Sequence, residues 1–259
     1  MVPLEDEEVA KELRRVFTRK GIDCYTSARL ESAKTTDAGV EATFVADNGE
    51  RKTITAAKLL MATGRAPNTA GIGLETVGVA MERGYIKIDR YMQTNVPGIY
   101  AIGDVVGPPW LAHKASHEGI ICVEKIAGLK GVHPLDKTAI PSCTYSSPQV
   151  ASVGLTEAQA RQAGHELKIG RFPYSANGKA IALGEAEGLV KTIFDAKTGA
   201  LLGAHILGAE ATELIQGFVI GKTLETTEAE LIAAIFPHPT LSEMMGESVL
   251  DAYGRALHI

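Results

Sequence analysis

Cysteine is scarce in this chain of 259 residues, and its three cysteines, Cys24, Cys122 and Cys143, lie far apart. None has another cysteine within four positions, so the chain contains neither a CxxC redox pair nor a zinc-binding cysteine pair. The spacing favours small buried side chains at these positions, and we expect no metal site.

An excess of positive charge and long apolar runs are also absent. The formal net charge is −5, whereas general nucleic-acid-binding proteins are usually basic. No apolar run approaches the ~18 residues that cross a bilayer. The opening stretch, MVPLEDEEVAKELRR, is too acidic for a secretory signal. We therefore expect a cytoplasmic protein that binds neither nucleic acid nor membrane.

The first half of the chain predicts an α/β arrangement. An apolar stripe of Val9, Leu13, Val16 and Phe17 predicts a helix over residues 6–20 with no strand before it, as in a chain entered partway through a domain. Further elements follow in alternation. They are strands at 22–27, 40–47, 51–56, 58–63 and 99–102, a hairpin turn at Asp47-Asn48-Gly49, and a buried helix over 111–128.

After about residue 135 the pattern changes to α+β, with short strands that predict an antiparallel sheet. The strands are expected at 141–150, 167–174, 188–195 and 200–208, and the helices at 156–163, 211–222, 227–235 and 240–255. This change in the order of helices and strands predicts a domain boundary near residue 137.

The stretch IFPHPTLSE, residues 235–243, allows two interpretations. Thr240 and Glu243 have the spacing of a capping box, which would make His238 an ordinary turn residue. Alternatively, the flanking prolines hold the imidazole of His238 in place, and Glu243 fixes its tautomer for acid–base chemistry near neutral pH. The spacing alone leaves both open.

Four stretches resemble the pyridine nucleotide-disulfide oxidoreductases. They are ATGRAPN (62–68), TNVPGIYAIGD (94–104), IPSCTYSSPQVASVGLTE (140–157) and HPTLSE (238–243). A fifth, LAHKASHEG (111–119), resembles the branch of that family that oxidises protein-bound dihydrolipoamide to lipoamide with reduction of NAD⁺. The resemblance covers essentially the whole chain, in the family's order.

The resemblance implies roles for individual residues. His238 would be the base that takes a proton from the dithiol, with Glu243 as its orienting partner. Asp104 would accept hydrogen bonds from the ribityl hydroxyls of FAD. The remaining implied contacts are Trp110, Leu111, Ala112 and His113 along the flavin, and Gly64 and Leu30 at the NAD site.

The resemblance also implies a domain order. Residues 1–68 would end an NAD-binding domain, 69–137 would form a central segment that contacts FAD, and 138–259 would form an antiparallel interface domain. The enzyme would be a homodimer in which the His–Glu pair serves the other subunit. Its protein partner would be the lipoyl-bearing acyltransferase of a 2-oxoacid dehydrogenase complex.

Three motifs of the family have no match in these residues: the first flavin-binding GxGxxG, the CxxxxC redox disulfide and the nicotinamide fingerprint. We therefore expect the C-terminal part of such an enzyme, inactive alone, with the missing N-terminal half supplied covalently or as a separate chain. Two alternatives stay open, a catalytically inert dimerisation fragment and a disulfide reductase similar to glutathione reductase.

Overall fold

A computed structural model describes all residues, 1–259. The chain forms two compact units, one made of Met1–Leu59 together with Thr138–Ile259 and the other of Leu60–Lys137. The three-part domain division expected from the resemblance stays a prediction. No helix is both long enough and apolar enough to span a membrane.

The N-terminal helix α1 (Glu7–Arg19) forms as predicted. Asp6 is its N-cap and accepts a hydrogen bond from the backbone N–H of Glu8 at 3.1 Å. Val9 and Leu13 pack against Val150 and Leu207 of the C-terminal region. The predicted apolar stripe is therefore the buried face of the helix, which packs against the C-terminal region.

A three-stranded antiparallel sheet follows, in the order β1 (Arg29–Thr36), β2 (Gly39–Val45), β3 (Arg51–Ala56). The predicted hairpin between β2 and β3 is present, and Gly49 takes the left-handed φ of 80° that its turn requires. The strand predicted at 22–27 is wrong, because the chain turns there and Ser27 has a φ of 54°. β1 was not predicted, because both of its faces are exposed and its sequence therefore lacks the alternation of apolar and polar residues that marks a strand.

In the unit Leu60–Lys137 the regular elements are β4 (Met81–Glu82), β5 (Tyr85–Ile86), 3-10 turns at Leu74–Val77 and Gly103–Val106, and helix α2 (Ala112–Ile126). The strands predicted at 58–63 and 99–102 do not form. Neither has a hydrogen-bonded neighbouring strand, beyond one isolated bridge at Tyr100. Helix α2 lies where predicted but is not buried throughout, because only Lys114, Glu118 and Cys122 are buried.

The C-terminal region is built on an antiparallel sheet, as predicted, and the sheet has five strands. The single strand predicted at 141–150 is wrong, because the chain bends at 146–148 and two separate strands form on either side of the bend. The strands are β6 (Ser142–Thr144), β7 (Gln149–Gly154), β8 (Leu167–Pro173), β9 (Leu189–Asp195) and β10 (Leu201–Gly208). Their order in the sheet is β6-β7-β10-β9-β8. The helices are α3 (Glu157–Gln162), α4 (Gly178–Leu183), α5 (Ala211–Thr223), α6 (Glu228–Ala233) and α7 (Glu243–Ala252).

The main core lies between this sheet and helices α5 and α7. Phe194 of β9, Phe218 of α5 and Met244 of α7 are fully buried in it. Helix α7 crosses β8 so closely that a Cβ at Gly170 would collide with the carbonyl oxygen of Ser248. This contact holds the second half of α7 against β8, and the buried side chain of Met244 holds its first turn, where Glu243 begins the helix.

Candidate functional site

The loop between α6 and α7 brings His238 and Glu243 together. His238 Nδ1 lies 2.9 Å from Glu243 Oε1, and the histidine side chain is 81% exposed. Since Nδ1 faces the carboxylate, Nε2 is the nitrogen that remains for proton exchange. The pairing expected for these two residues is therefore present in the fold, and their catalytic role stays a proposal.

Glu243 is held as a carboxylate. It begins α7, where the helix dipole favours negative charge. Burial raises its pKa, but hydrogen bonds from the backbone N–H of Thr240 and from His238 outweigh burial, and the net pKa is lowered. A carboxylate that stays ionised near neutral pH can orient the imidazole and stabilise its protonated form.

The capping box predicted at Thr240 is only half formed. Glu243 Oε2 accepts from the Thr240 N–H at 2.8 Å, but the Thr240 hydroxyl donates to the carbonyl oxygen of Pro237 at 2.6 Å. The helix begins later than predicted, with Ser242 at its N-cap and no side-chain cap. The carboxylate of Glu243 therefore serves the loop backbone and His238 at once.

Two other histidine–carboxylate pairs lie in the same compact unit. His258 Nδ1 is 2.8 Å from Glu247 Oε1, and Glu247 also accepts from the backbone N–H of Leu257, so this pair holds the C-terminal tail on α7. His165 Nδ1 is 2.6 Å from Asp195 Oδ2 beside a turn. Sequence spacing revealed neither pair, because their partners are 11 and 30 residues apart.

Asp104 lies in the 3-10 turn Gly103–Val106 of the other unit, with its side chain half-exposed. Its Oδ2 accepts a hydrogen bond from Arg65 Nη1 at 3.2 Å. The turn thus joins two of the stretches that carry the resemblance. Arg65 was not singled out from the sequence, although it stands in the ATGRAPN stretch.

The predicted flavin contacts Trp110 to His113 lie at the start of α2. Trp110 stacks on Tyr85 with ring centroids 6.5 Å apart. Leu111 is the N-cap and offers no side-chain hydrogen bond, and Ala112 and His113 are the first helical residues. A half-exposed carboxylate can accept from sugar hydroxyls, and a helix N-terminus without a side-chain cap favours anionic oxygens. The residues present therefore fit a cofactor that carries both groups.

The two residues expected at the NAD site belong to different compact units. Gly64 has a φ of 105°, and nothing lies within 4 Å of the position a Cβ would take, so a ligand could approach its backbone. Leu30 lies on β1 with 43% of its surface exposed, so its side chain is not part of a buried core. Their contact with NAD stays a prediction.

Two of the three cysteines lie in surroundings that disfavour the thiolate form. Cys122 is buried as expected, whereas Cys24 and Cys143 are only partly buried. Burial raises the pKa of the Cys122 thiol and of the Cys143 thiol, so both favour the unreactive protonated form.

Two family models match the chain. The model described as pyridine nucleotide-disulphide oxidoreductase matches residues 1–119, and the dimerisation-domain model of the same family matches residues 140–249. Among curated relatives, the dihydrolipoyl dehydrogenase of Rhizobium etli is 55% identical over 258 residues, covering 100% of this chain and 54% of the relative. That of Zymomonas mobilis is 53% identical, covering 100% of this chain and 55% of the relative.

Solved structures agree with the sequence comparison. LpdA from Mycobacterium tuberculosis superposes with a TM-score of 0.85 at 30% identity, over 95% of this chain and 53% of that one. The HOCl-induced flavoprotein disulfide reductase RclA from Escherichia coli gives 0.86 at 27% identity, over 96% of this chain and 56% of that one. The chain spans about half the length of the relatives it matches. It belongs to the pyridine nucleotide-disulphide oxidoreductases.

Proposed function

We propose that this chain is the C-terminal half of a dihydrolipoyl dehydrogenase (dihydrolipoamide dehydrogenase), a flavoprotein that uses FAD and NAD⁺. The observation that carries the proposal is the His238–Glu243 pair at 2.9 Å, presented on an exposed loop. The match to relatives of that name, at up to 55% identity, supports it. The same relatives favour it over an inert dimerisation fragment and over a glutathione-reductase-like enzyme.

In the proposed reaction the dithiol of dihydrolipoamide loses two electrons and two protons and closes to a disulfide, while NAD⁺ takes up two electrons and one proton. FAD, when bound, supplies the electron relay between them. The redox disulfide that would first accept the electrons has no counterpart among this chain's three cysteines, and we propose that it belongs to the other half of the enzyme.

The protein's own contribution is proton transfer. His238 Nε2 accepts the proton from the substrate thiol, since the attacking species in disulfide exchange is the thiolate. Glu243 holds the tautomer with its proton on Nδ1 and stabilises the imidazolium that forms. Asp104 would accept from the flavin's hydroxyls, and the start of α2 would lie along the flavin.

The proposed enzyme works as a homodimer. Residues 140–249 match the dimerisation domain of the family, and the exposed His238 faces away from its own core. In the proposed dimer this histidine serves the redox disulfide of the other subunit. The proposed protein substrate is the lipoyl-bearing acyltransferase of a 2-oxoacid dehydrogenase complex.

The test is His238→Gln in the holoenzyme. We expect the turnover of dihydrolipoamide with NAD⁺ to fall by roughly 10²–10⁴, as loss of a general base should produce, with an unchanged flavin absorption spectrum. His165→Gln is the matched control, because it removes the imidazole of a different histidine–carboxylate pair, His165–Asp195, and should leave turnover within about threefold. Near-normal turnover of His238→Gln, or a wild-type enzyme without flavin, would contradict the proposed function.

A further inference from the structure

Helix α2 buries two opposite charges on one stripe. The side chain of Lys114 is 3% exposed and that of Glu118 is 7% exposed, with Nζ and Oε1 2.9 Å apart. Charged side chains are rarely buried to this degree unless they are paired. The remaining buried residue of the helix, Cys122, continues the same stripe, while the apolar side chains Val123 and Ile126 face outward.

This pair contacts both ends of a loop segment, residues 103–107, which we name the Asp104 turn. Glu118 Oε2 accepts from the backbone N–H of Gly103 at 2.8 Å. Lys114 Nζ donates to the carbonyl oxygen of Gly107 at 3.1 Å and lies 3.5 Å from that of Gly103. The buried charges therefore satisfy backbone groups on either side of Asp104.

The Asp104 turn is a single short 3-10 turn with a glycine at each end. Gly103 and Gly107 have positive φ values of 80° and 108°, and the N–H of Gly107 reaches the carbonyl oxygen of Asp104 at a long 3.3 Å. The carboxylate of Asp104 is half-exposed and contacts Arg65. Its direction thus depends on what holds the backbone beneath it.

The pair is poorly explained as a device for stability alone. Burying two charges costs desolvation free energy, and replacing a buried ion pair by apolar side chains of similar volume is often neutral or stabilising. What apolar side chains could not supply is the hydrogen bonds to Gly103 and Gly107. The geometry favours a role for the pair in placing the Asp104 turn.

We propose that Lys114 and Glu118 are positioning residues for cofactor binding: they hold the Asp104 turn so that its carboxylate is presented to the cofactor's hydroxyl groups. This inference rests on the proposed function, under which the cofactor is FAD. Neither residue touches the cofactor. Each acts through the backbone of the Asp104 turn.

The test separates positioning from stability by removing both charges together. In the double variant Lys114→Met with Glu118→Met no charge is left buried and unpaired, so we expect the thermal unfolding midpoint of the apoenzyme to fall less than in Lys114→Met alone, where Glu118 stays buried without its cation. The dissociation constant for FAD, measured by flavin fluorescence titration of the apoenzyme, should rise about tenfold or more, because two hydrogen bonds to the Asp104 turn are lost.

Two further variants complete the test. Glu118→Gln keeps an oxygen that can accept from Gly103, so it should bind FAD more tightly than Glu118→Met. The matched control is Glu124→Met with Lys125→Met, which makes the same substitutions farther along α2 and should leave FAD binding within about twofold. Unchanged FAD affinity in the double variant would overturn the positioning role and leave the proposed function standing. A wild-type holoenzyme without FAD would overturn both.

A measurement on the present chain, without flavin, tests the physical contact itself. The amide of Gly103 should exchange with solvent at least tenfold faster in Glu118→Met than in the wild type, because its acceptor has been removed. Equal exchange rates would show that Glu118 does not hold the Asp104 turn.

Discussion

The two compact units are stabilised by different kinds of contact. In the unit that contains the five-stranded sheet, Phe194, Ile206 and Phe218 are fully buried in one apolar cluster. In the unit Leu60–Lys137, large apolar side chains such as Leu60, Met61 and Val123 are exposed. Burial of apolar surface is the dominant favourable contribution to folding, so the first unit gains far more from it.

The second unit relies instead on hydrogen bonds in its turns. Asp89 accepts hydrogen bonds from the backbone N–H groups of Tyr91 and Gln93. Asn95 accepts from the N–H of Ala80 and donates to the carbonyl oxygen of Gly78. The Lys114–Glu118 pair holds the Asp104 turn. The free energy lost on substitution therefore depends on the unit in which the residue lies. Truncation of an apolar side chain costs most in the first unit, and loss of a turn contact matters more in the second.

The largest expected effect is in the sheet unit. Phe218→Ala should lower the free energy of unfolding by about 3–5 kcal/mol, because it removes a fully buried ring and leaves a cavity. Val123→Ala in α2 should change it by no more than about 0.5 kcal/mol, since that side chain is 65% exposed. Urea unfolding followed by circular dichroism measures both, and equal losses of stability would show that the two units do not differ in their dependence on apolar burial.

A smaller loss is expected from the charged junction around Lys191. This buried lysine lies 2.8 Å from Asp6 Oδ1 and 2.8 Å from Glu157 Oε2, and 3.0 Å from Glu8 Oε2. Lys191→Met should lower the free energy of unfolding by about 3 kcal/mol, because Asp6 then stays buried without its cation. Glu8 and Glu157 add less to this loss, since both are partly solvated. Urea unfolding at pH 7 measures the loss.

The pH dependence of that loss follows from the pKa shifts. Burial raises the pKa of Asp6 and of Glu8, but hydrogen bonds to Lys191 and Arg171 outweigh it and lower both; in Glu157 the hydrogen bond from Lys191 leads the lowering. Carboxylates with a lowered folded-state pKa stabilise the fold above their unfolded pKa near ~4 and lose that contribution as pH falls through the folded value. The difference between wild type and Lys191→Met should therefore be full at pH 7 and shrink below about pH 4. A difference that grows in acid would contradict the assignment.

The smallest expected effect tests the turns of the second unit. Asp89→Ala should weaken local structure by about 1 kcal/mol, raising amide exchange of Tyr91 and Gln93 about fivefold. Glu82→Ala is the control, because its surface ion pair with Lys87 at 3.6 Å should contribute little. If Val123→Ala raises amide exchange in this unit more than Asp89→Ala does, the unit does not depend mainly on hydrogen bonds in its turns.

The same contrast explains how much of the fold could be predicted from the sequence. The strands β8 to β10 and helix α1 were predictable because their apolar periodicity matches partners within the chain. Residues 58–63 have a strand-like apolar pattern but no strand beside them, so the pattern is not realised. β1 has no buried face and therefore gave no signal.

The candidate site shows the same limits. His238 and Glu243 could be paired from sequence because they stand five residues apart across a helix start. The contact of Arg65 with Asp104 and the buried pair beneath the Asp104 turn were not predicted. Charged residues on a helix ordinarily indicate a solvated face, and only the packing of α2 shows that these two are buried.

The carboxylate of Asp6 has a consequence for the order of folding events. It caps α1, accepts from the backbone N–H of Glu157 at the start of α3 and binds Lys191 of β9, partners that are 2, 151 and 185 residues away. Closing such long loops costs chain entropy before the contacts form, so we expect this junction to assemble after the transition state. In stopped-flow experiments Lys191→Met should then unfold faster while refolding at nearly the wild-type rate. The junction would then slow unfolding without speeding folding, and so prolong the lifetime of the folded state.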